Sequence, residues 1–386
     1  MSRSAEIAAR LGELLGGRVH GEPVQLSGGA SQETWVFDLD SRPLVLQVQR
    51  GERERPAPLL RAARAADVPV AEVVADGEDD GLGGEWVVVE RLDGTADPRT
   101  ILEAHGADLL GQLAAALRSV HAMEPEGLGL RAIDDPIADL RAMHDELGEP
   151  HPVFDLAFRE LEATGPPERA LGTTVVHGDF RMGNVLVADA GLQAVLDWEL
   201  THIGDPVADL GWLCVPAWRF TRPDRPAAGL GMREELVAAY GGDVDPAALR
   251  WWELHGTLRW GVICVLQWKS HPDSLEHAVI GRRAAEVEWD LLELLDPGGA
   301  AGDVPPAGIH DRPTAAELLA VARAELRDQV LPALEGREAF TLRVALRAMG
   351  IAEREIRQDP ESYADLRAVV RAKLEVVNPR YLETYS

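Results

Sequence analysis

The stretch from Thr173 to Asp197 constrains this chain more than any other, because two short β-forming runs there enclose a polar segment that suits neither helix nor strand. It reads Val175-Val176-His177-Gly178-Asp179-Phe180-Arg181-Met182-Gly183-Asn184-Val185-Leu186-Val187, and Asp197 follows within Ala194-Val195-Leu196-Asp197-Trp198-Glu199. Val185 to Val187 and Ala194 to Leu196 can pair as a hairpin across Ala188 to Gly191. That pairing sets Asn184 and Asp197 side by side at the open end. An amide oxygen and a carboxylate there make a hard-oxygen site of the kind magnesium takes, with phosphate oxygens and water completing the shell. Asp179, on the irregular loop before Asn184, can face such an ion without coordinating it and accept the proton of an attacking hydroxyl.

At 386 residues the chain has room for two or three domains. Apolar residues make up 46% of it, which argues against global disorder. Basic residues number 38 against 65 acidic, a formal net charge of -27. Such a field disfavours contact with nucleic acid or an anionic membrane and attracts cationic ligands, although solubility alone explains it as well. Cys214 and Cys264 lie outside any CxxC pair and read as buried thiols in a reducing compartment. The N-terminus, Met-Ser-Arg-Ser-Ala-Glu-Ile, lacks the apolar core of a signal peptide. The most apolar run, Trp251 to Trp268, carries Glu253, His255 and Arg259 and predicts a buried helix, not a membrane span. A cytoplasmic protein with no membrane or nucleic-acid partner is expected.

Ile7, Leu11, Leu14 and Leu15 share one face of a first helix that stops at Gly16-Gly17. Alternation over Thr34 to Asp40, and again at Leu44, Leu46 and Val48, predicts a hairpin turning at Asp40-Ser41-Arg42. Ala71 to Ala75 and Glu85 to Leu92 add two strands and Leu59 to Ala66 one helix, so residues 18 to 92 form a small, mostly antiparallel sheet. A helical pattern sets in over Ile101 to Met123 and dominates to about Leu295. A Gly- and Pro-rich stretch from Asp296 reads as a linker. Beyond it Thr314-Ala-Ala-Glu317 is a capping box, Phe340 to Met349 a helix stopped by Gly350, and Tyr363, Leu366, Val370, Leu374 and Val377 one helix more.

His177, Asp179, Asn184 and Asp197 spell the H-x-D-x-x-x-x-N pattern of kinase catalytic loops followed by a metal-binding aspartate. Extended through Gly204-Asp205-Pro206-Val207-Ala208-Asp209-Leu210-Gly211, the segment resembles the aminoglycoside phosphotransferase-like family. That family includes choline kinases and kinase-like domains fused to acyl-CoA dehydrogenases. Leu196-Asp197-Trp198-Glu199 with Gly204-Asp205-Pro206 is closest to the last group. The resemblance spans residues 20 to 290 and implies an α+β, bilobal protein-kinase-like fold. On that basis residues 1–93 are an N-lobe with a nucleotide-binding antiparallel sheet, and 94–297 a mostly helical C-lobe with the catalytic loop. The chain pattern adds a linker over 298–309 and a C-terminal helical module over 310–386.

The resemblance further implies a magnesium-dependent phosphotransferase that moves the terminal phosphate of ATP or GTP to a hydroxyl of a small molecule. In that reading Asp179 is the catalytic base or orienting group, and Asn184 and Asp197 bind magnesium. Arg181 sits where protein kinases place a lysine near the transferred phosphate, its other reading being a salt bridge to a nearby acid. His177 supports the loop, and Asp205 and Asp209 brace it. Ser27, Gly28, Gly29 and Ser31 fall at the expected first turn, where glycines let backbone amides approach phosphate. Backbone groups from Glu90 to Leu92 hold the adenine. Gly178 takes the place of the arginine that anchors a phosphorylated activation loop, which predicts constitutive activity.

Two departures from the family pattern stand out. The strand expected to carry a phosphate-binding lysine has Gln47 at that place, and Pro56 or Leu59 falls where its glutamate partner belongs. Arg50, Arg53 or Arg55 can reach the phosphates instead, and Gln47 can donate one uncharged hydrogen bond. Trp198, Glu199, Trp260 and Trp268 are candidate walls of an acceptor pocket, with plain core packing favoured for Trp260 and Trp268. Acidic walls suit an amine-bearing acceptor, whereas the subgroup implies a hydroxyacyl thioester or related metabolite. The C-terminal helices carry no catalytic set and are left to stabilise, form a homodimer or cover the cleft. A kinase-fold protein that binds nucleotide or metabolite with little or no turnover is the alternative that Gln47 keeps open.

Overall fold

A computed structural model describes residues 2–26, 32–49, 56–148, 150–220, 222–299 and 312–356. Helix α1 (Arg3–Leu15) starts at Ser2, whose Oγ accepts the Ala5 N–H at 3.2 Å, and ends at Gly16 with φ 66°. Both are the caps that leave fewest helix-end groups unpaired. Ile7 and Leu11 are buried and Leu15 packs beside them; Leu14, expected on this face, falls at its edge and is 37% exposed.

Strands β1 (Val19–Leu26), β2 (Gln32–Leu39) and β3 (Arg42–Gln49) precede helix α2 (Pro56–Ala65), and β4 (Val73–Asp79) and β5 (Gly84–Glu90) follow it. The five strands form an antiparallel sheet in the order β1-β2-β3-β5-β4. Leu39 pairs with Arg42 across Asp40 and Ser41, whose φ values of 48° and 69° give the primed two-residue turn that matches strand twist. Asp40 Oδ1 steadies it by accepting the Arg18 N–H at 3.1 Å. Trp35, Phe37, Leu44, Leu46, Val48, Trp86 and Val88 pack with Ile7 and Leu11 in one core. Each such side chain contributes about 1.5–3 kcal/mol on burial, so α1 is held to this face of the sheet. By strand alternation Val45 and Gln47 belong to the opposite face.

Helices α3 (Pro98–Ala104) and α4 (Ala107–His121) replace the single helical run expected here, because Gly106 adopts φ -142° and ψ -135°. Next come α5 (Pro136–Asp145), α6 (Pro152–Thr164), strands β6 (Thr174–Val176), β7 (Val185–Ala188), β8 (Gly191–Val195) and β9 (His202–Gly204), and α7 (Val207–Leu213). Strand β6 pairs with β9 and β7 with β8, both antiparallel. Segments flanking the N-terminal sheet reach the β7–β8 hairpin through the Val195 N–H on the Pro69 carbonyl, 2.8 Å, and through Thr95 and Val187. Gly94 allows that approach: with φ 149°, a Cβ there would lie 2.8 Å from the Val187 oxygen.

Helices α8 (Arg233–Tyr240), α9 (Pro246–Ser270), α10 (Leu275–Arg282), α11 (Ala284–Leu295), α12 (Ala315–Glu325) and α13 (Gly336–Ile356) complete the described chain. Contacts divide its described residues into two units, those within 1–145, 150–260 and 290–298 and those within 146–149, 261–289 and 299–386. In the second unit Trp268, Ala278 and Val321 form a core with Leu275 and Leu318. Thr314 opens α12 with the expected capping box, its Oγ1 accepting the Glu317 N–H at 3.3 Å while Glu317 Oε2 accepts the Thr314 N–H at 2.6 Å. Helix α13 continues through Gly350, where it was expected to stop; a lone glycine costs only about 1 kcal/mol in a helix and does not end a run of this length. The series Tyr363 to Val377 lies outside the described residues. No described helix is long and apolar enough to cross a membrane.

Helix α9 holds a buried titratable group that gives an acid-stability prediction. His255 stacks on Trp251 at 5.5 Å, meets Trp252 edge-on, and its Nε2 lies 3.1 Å from the Pro136 carbonyl. Burial pushes its pKa down to about 4, against the opposing pull of the Pro136 carbonyl. Between that value and the ordinary 6.5 the unfolded chain binds a proton that the folded chain does not, so stability is lost as pH falls through this window. The expected contribution is about 3 kcal/mol. Urea midpoints at pH 7.5 and 5 should differ less in His255→Gln than in wild type; equal differences would refute the assignment.

Candidate active site

The loop of residues 177–184 leaves β6 and enters β7, and Asp209 on α7 closes it from behind. Its Oδ2 accepts the His177 N–H at 2.8 Å and its Oδ1 the Gly178 N–H at 2.9 Å, while His121 Nε2 lies 3.1 Å from Oδ2. Asp209 is fully buried. Burial works against its charge, but the His121 bond, the histidine charges and the Gly178 N–H prevail and hold the carboxyl below the usual range. Tyr240 Oη in turn meets His121 Nδ1 at 2.8 Å. Gly178 is required where it stands: φ is 80°, and a Cβ would lie 2.3 Å from the Leu200 oxygen. Asp205 acts one step away, accepting the Val207 N–H at the start of α7 and the Trp252 Nε1–H.

Asp179 is nearly buried, and three side chains donate to its carboxylate. Oδ1 accepts from Arg181 Nε at 3.0 Å and Trp212 Nε1 at 2.9 Å; Oδ2 accepts from Asn184 Nδ2 at 2.6 Å. Asn184 Nδ2 also reaches the Asp179 carbonyl at 3.1 Å, so its Nδ2 is committed and its Oδ1 remains as an acceptor. The expected hairpin places the next carboxylate. Val185 pairs with Val195, and the Leu196 N–H donates to the Asn184 carbonyl at 2.9 Å, which brings Asp197 to the same open end.

Asp197 holds φ 61°, an uncommon backbone state for a residue with a side chain. The residue as a whole is exposed, yet its carboxyl is crowded by protein. That loss of hydration, with the charges of Glu199 and Asp179, pushes its pKa up to about 6, against the pull of Arg181. Such a carboxyl favours a cation beside it. Among the described residues no cluster of three or more His, Cys, Asp or Glu could hold a metal. A cation at Asn184 and Asp197 would therefore take most of its shell from phosphate and water, as magnesium does.

Arg181 makes the salt bridge that its alternative reading allowed, and its guanidinium lies 4.6 Å over the Trp218 ring. His177 is buried against Trp198 at 4.7 Å, and its Nδ1 accepts the Asp179 N–H at 3.2 Å. Trp198 donates to the Val195 carbonyl, Trp260 packs on Trp218 at 4.9 Å, and Trp268 lies in the second unit's core. Gln47 is half-buried on β3 opposite Thr34 and Val87. Helix α2 carries no acidic residue. Glu90 Oε1 accepts the Glu72 N–H at 3.0 Å, and half-buried Leu92 follows β5. Ser27, Gly28, Gly29 and Ser31, like Arg50, Arg53 and Arg55, lie outside the described residues.

Sequence reasoning missed Trp212, Trp218, Arg259 and His121. Trp212 carried a usable signal: it follows Asp209 by three positions on α7, which puts both on one helix face. Arg259 Nη1 donates to the Gly178 carbonyl at 2.8 Å, with its guanidinium 4.8 Å over the Trp212 ring. Glu253, 1% exposed, binds Arg219 at 2.7 Å and Arg233 at 2.6 Å and so ties both to α9.

Residues 22–252 match the family model described as "Phosphotransferase enzyme family". Acyl-CoA dehydrogenase family member 10 of Mus musculus is 26% identical over an alignment 222 residues long, which covers 50% of this chain but only 20% of the mouse protein. Among solved structures, a thermostable mutant of aminoglycoside phosphotransferase APH(4)-Ia in ternary complex with ADP and hygromycin B superposes with TM-score 0.55 and 20% identity. It covers 77% of this chain and 100% of its own. A choline/ethanolamine kinase family protein of Mesorhizobium loti gives TM-score 0.55 and 20% identity over 76% of this chain and 95% of that one. The expected bilobal, kinase-like architecture is the fold observed.

Proposed function

Since the chain belongs to the phosphotransferase enzyme family, we propose that it moves the terminal phosphate of ATP to a hydroxyl of a small molecule in a magnesium-dependent reaction. One observation carries this reading: the Asp179 carboxylate is held by Asn184 and Arg181 while Asn184 Oδ1 and Asp197 are left for a cation. Magnesium at that pair would neutralise charge on the phosphates. Asp179 orients the acceptor hydroxyl and takes its proton. Arg181, beside Asp179, compensates charge on the transferred group. Glu90 to Leu92 flank the adenine, and Gln47 donates an uncharged bond in place of a lysine. The ADP held by APH(4)-Ia supports an adenine nucleotide as donor.

The test is a panel of hydroxyl compounds (amino sugars, choline, hydroxyacyl thioesters) with ATP or GTP, reading phosphorylated product by mass spectrometry. Product is expected with magnesium present and should fall to background when EDTA removes it. Gln47, with no acidic residue on α2, favours the alternative of a binding protein with little or no turnover. That alternative is supported if nucleotide binds but no acceptor is phosphorylated. Failure to bind magnesium nucleotide would remove both readings.

A further inference from the structure

We infer that Trp212 is a positioning residue for phosphoryl transfer: its indole N–H fixes Oδ1 of Asp179, so that Oδ2 is the atom that receives the acceptor's proton. This rests on the phosphotransferase reading above. Oδ1 takes two donors, Trp212 Nε1 at 2.9 Å and Arg181 Nε at 3.0 Å. Among the described residues Oδ2 takes one, Asn184 Nδ2 at 2.6 Å. A carboxylate oxygen offers about two lone-pair directions, so Oδ1 is filled and Oδ2 keeps one for a hydroxyl. During transfer the hydroxyl O–H bond breaks and its proton goes to Oδ2. The hydroxyl oxygen bonds to the terminal phosphorus as the bond to the bridging oxygen breaks, releasing nucleoside diphosphate.

The surroundings hold the indole in place. Trp212 is 3% exposed, lies under the Arg259 guanidinium at 4.8 Å, and packs against Trp218 at 5.5 Å. Arg259 also grips the Gly178 carbonyl, so one side chain clamps both the loop and the indole. Helices α7 and α9 meet closely enough for this only at glycines. A Cβ on Gly211 would lie 2.5 Å from that of Trp252, and one on Gly256 3.2 Å from Trp212 Cε3. Burial alone does not explain the bond to Asp179: Trp218 Nε1 and Trp251 Nε1 are buried with no partner among the described residues. A filler for this space would need no N–H. Trp212 spends its own on the carboxylate at the centre of the site.

The experiment uses Trp212→Phe, which keeps an aromatic ring and removes the donor. Losing a hydrogen bond to a charged group should lower kcat roughly ten- to a hundredfold. KM for magnesium ATP and for the acceptor should stay within about twofold. Added to Asp179→Asn, the same change should cost little more. The contact itself is read without turnover in protein carrying 15N at the ten tryptophan indoles. The resonance missing from Trp212→Phe is Trp212's, and Asp179→Asn should displace it. An unmoved resonance, or a Trp212→Phe enzyme as fast as wild type, overturns the assignment. Equal losses in both Asp179 backgrounds would make Trp212 merely structural and also overturn it. A wild-type protein without turnover overturns the phosphotransferase reading instead, and is recognised because the indole signal still responds to Asp179→Asn.

Discussion

Replacement of Asp179 by asparagine should cut turnover roughly 10²- to 10⁴-fold, the range a positioned acid–base group supplies. An amide cannot take the hydroxyl proton, and its NH2 brings a donor where the site expects an acceptor. With the carbonyl oxygen toward Trp212 and Arg181, the new NH2 faces the Asn184 Nδ2 donor. Turned the other way, it opposes two donors. A mismatch of this kind costs about 1–3 kcal/mol of stability, small enough to leave a folded protein. Initial rates at saturating substrate, with melting curves for both proteins, measure the two effects separately. Retention of more than a tenth of wild-type turnover would remove Asp179 from the chemistry.

The largest expected loss of stability is at Asp209. Its carboxylate is wholly buried and answers the backbone N–H groups of His177 and Gly178 as well as His121. In Asp209→Ala both N–H groups and His121 lose their acceptor inside the protein. Removing one partner of such a buried network typically costs about 3–5 kcal/mol. Because the two N–H groups open the loop that carries Asp179, turnover should fall with stability, even at temperatures where the variant remains folded. Urea unfolding gives the first quantity and initial rates the second. A loss below about 1 kcal/mol would show that the loop is braced elsewhere. Asp205→Ala should be milder, since its partners lie at the start of α7 and on Trp252.

Strands β2 and β3 were legible because they alternate cleanly and the Asp40-Ser41 turn between them is local. The Asn184 and Asp197 pairing was legible for the same reason: a short hairpin converts sequence spacing directly into proximity. Single residues decided the misreadings. Gly106 splits α3 from α4, whereas Gly350 does not interrupt α13. A glycine's effect depends on what its neighbours bury, which no local pattern reports. The second tier of the site was hidden for a different reason. His121 on α4, Trp212 on α7, Trp218 on the short 3-10 turn that follows it and Arg259 on α9 reach Asp209, Asp179, Arg181 and Gly178, respectively. Their chemistry is ordinary until the fold assembles it.

Gly178 also limits how this site could change. The residue before Asp179 faces the Leu200 carbonyl at a distance no side chain can occupy, in a backbone state that disfavours one. A single substitution to arginine therefore cannot install a docking point for a phosphorylated loop; the Leu200 segment would have to move as well. Control of this protein by phosphorylation at that position is separated from its present sequence by a rearrangement of backbone, not by one codon.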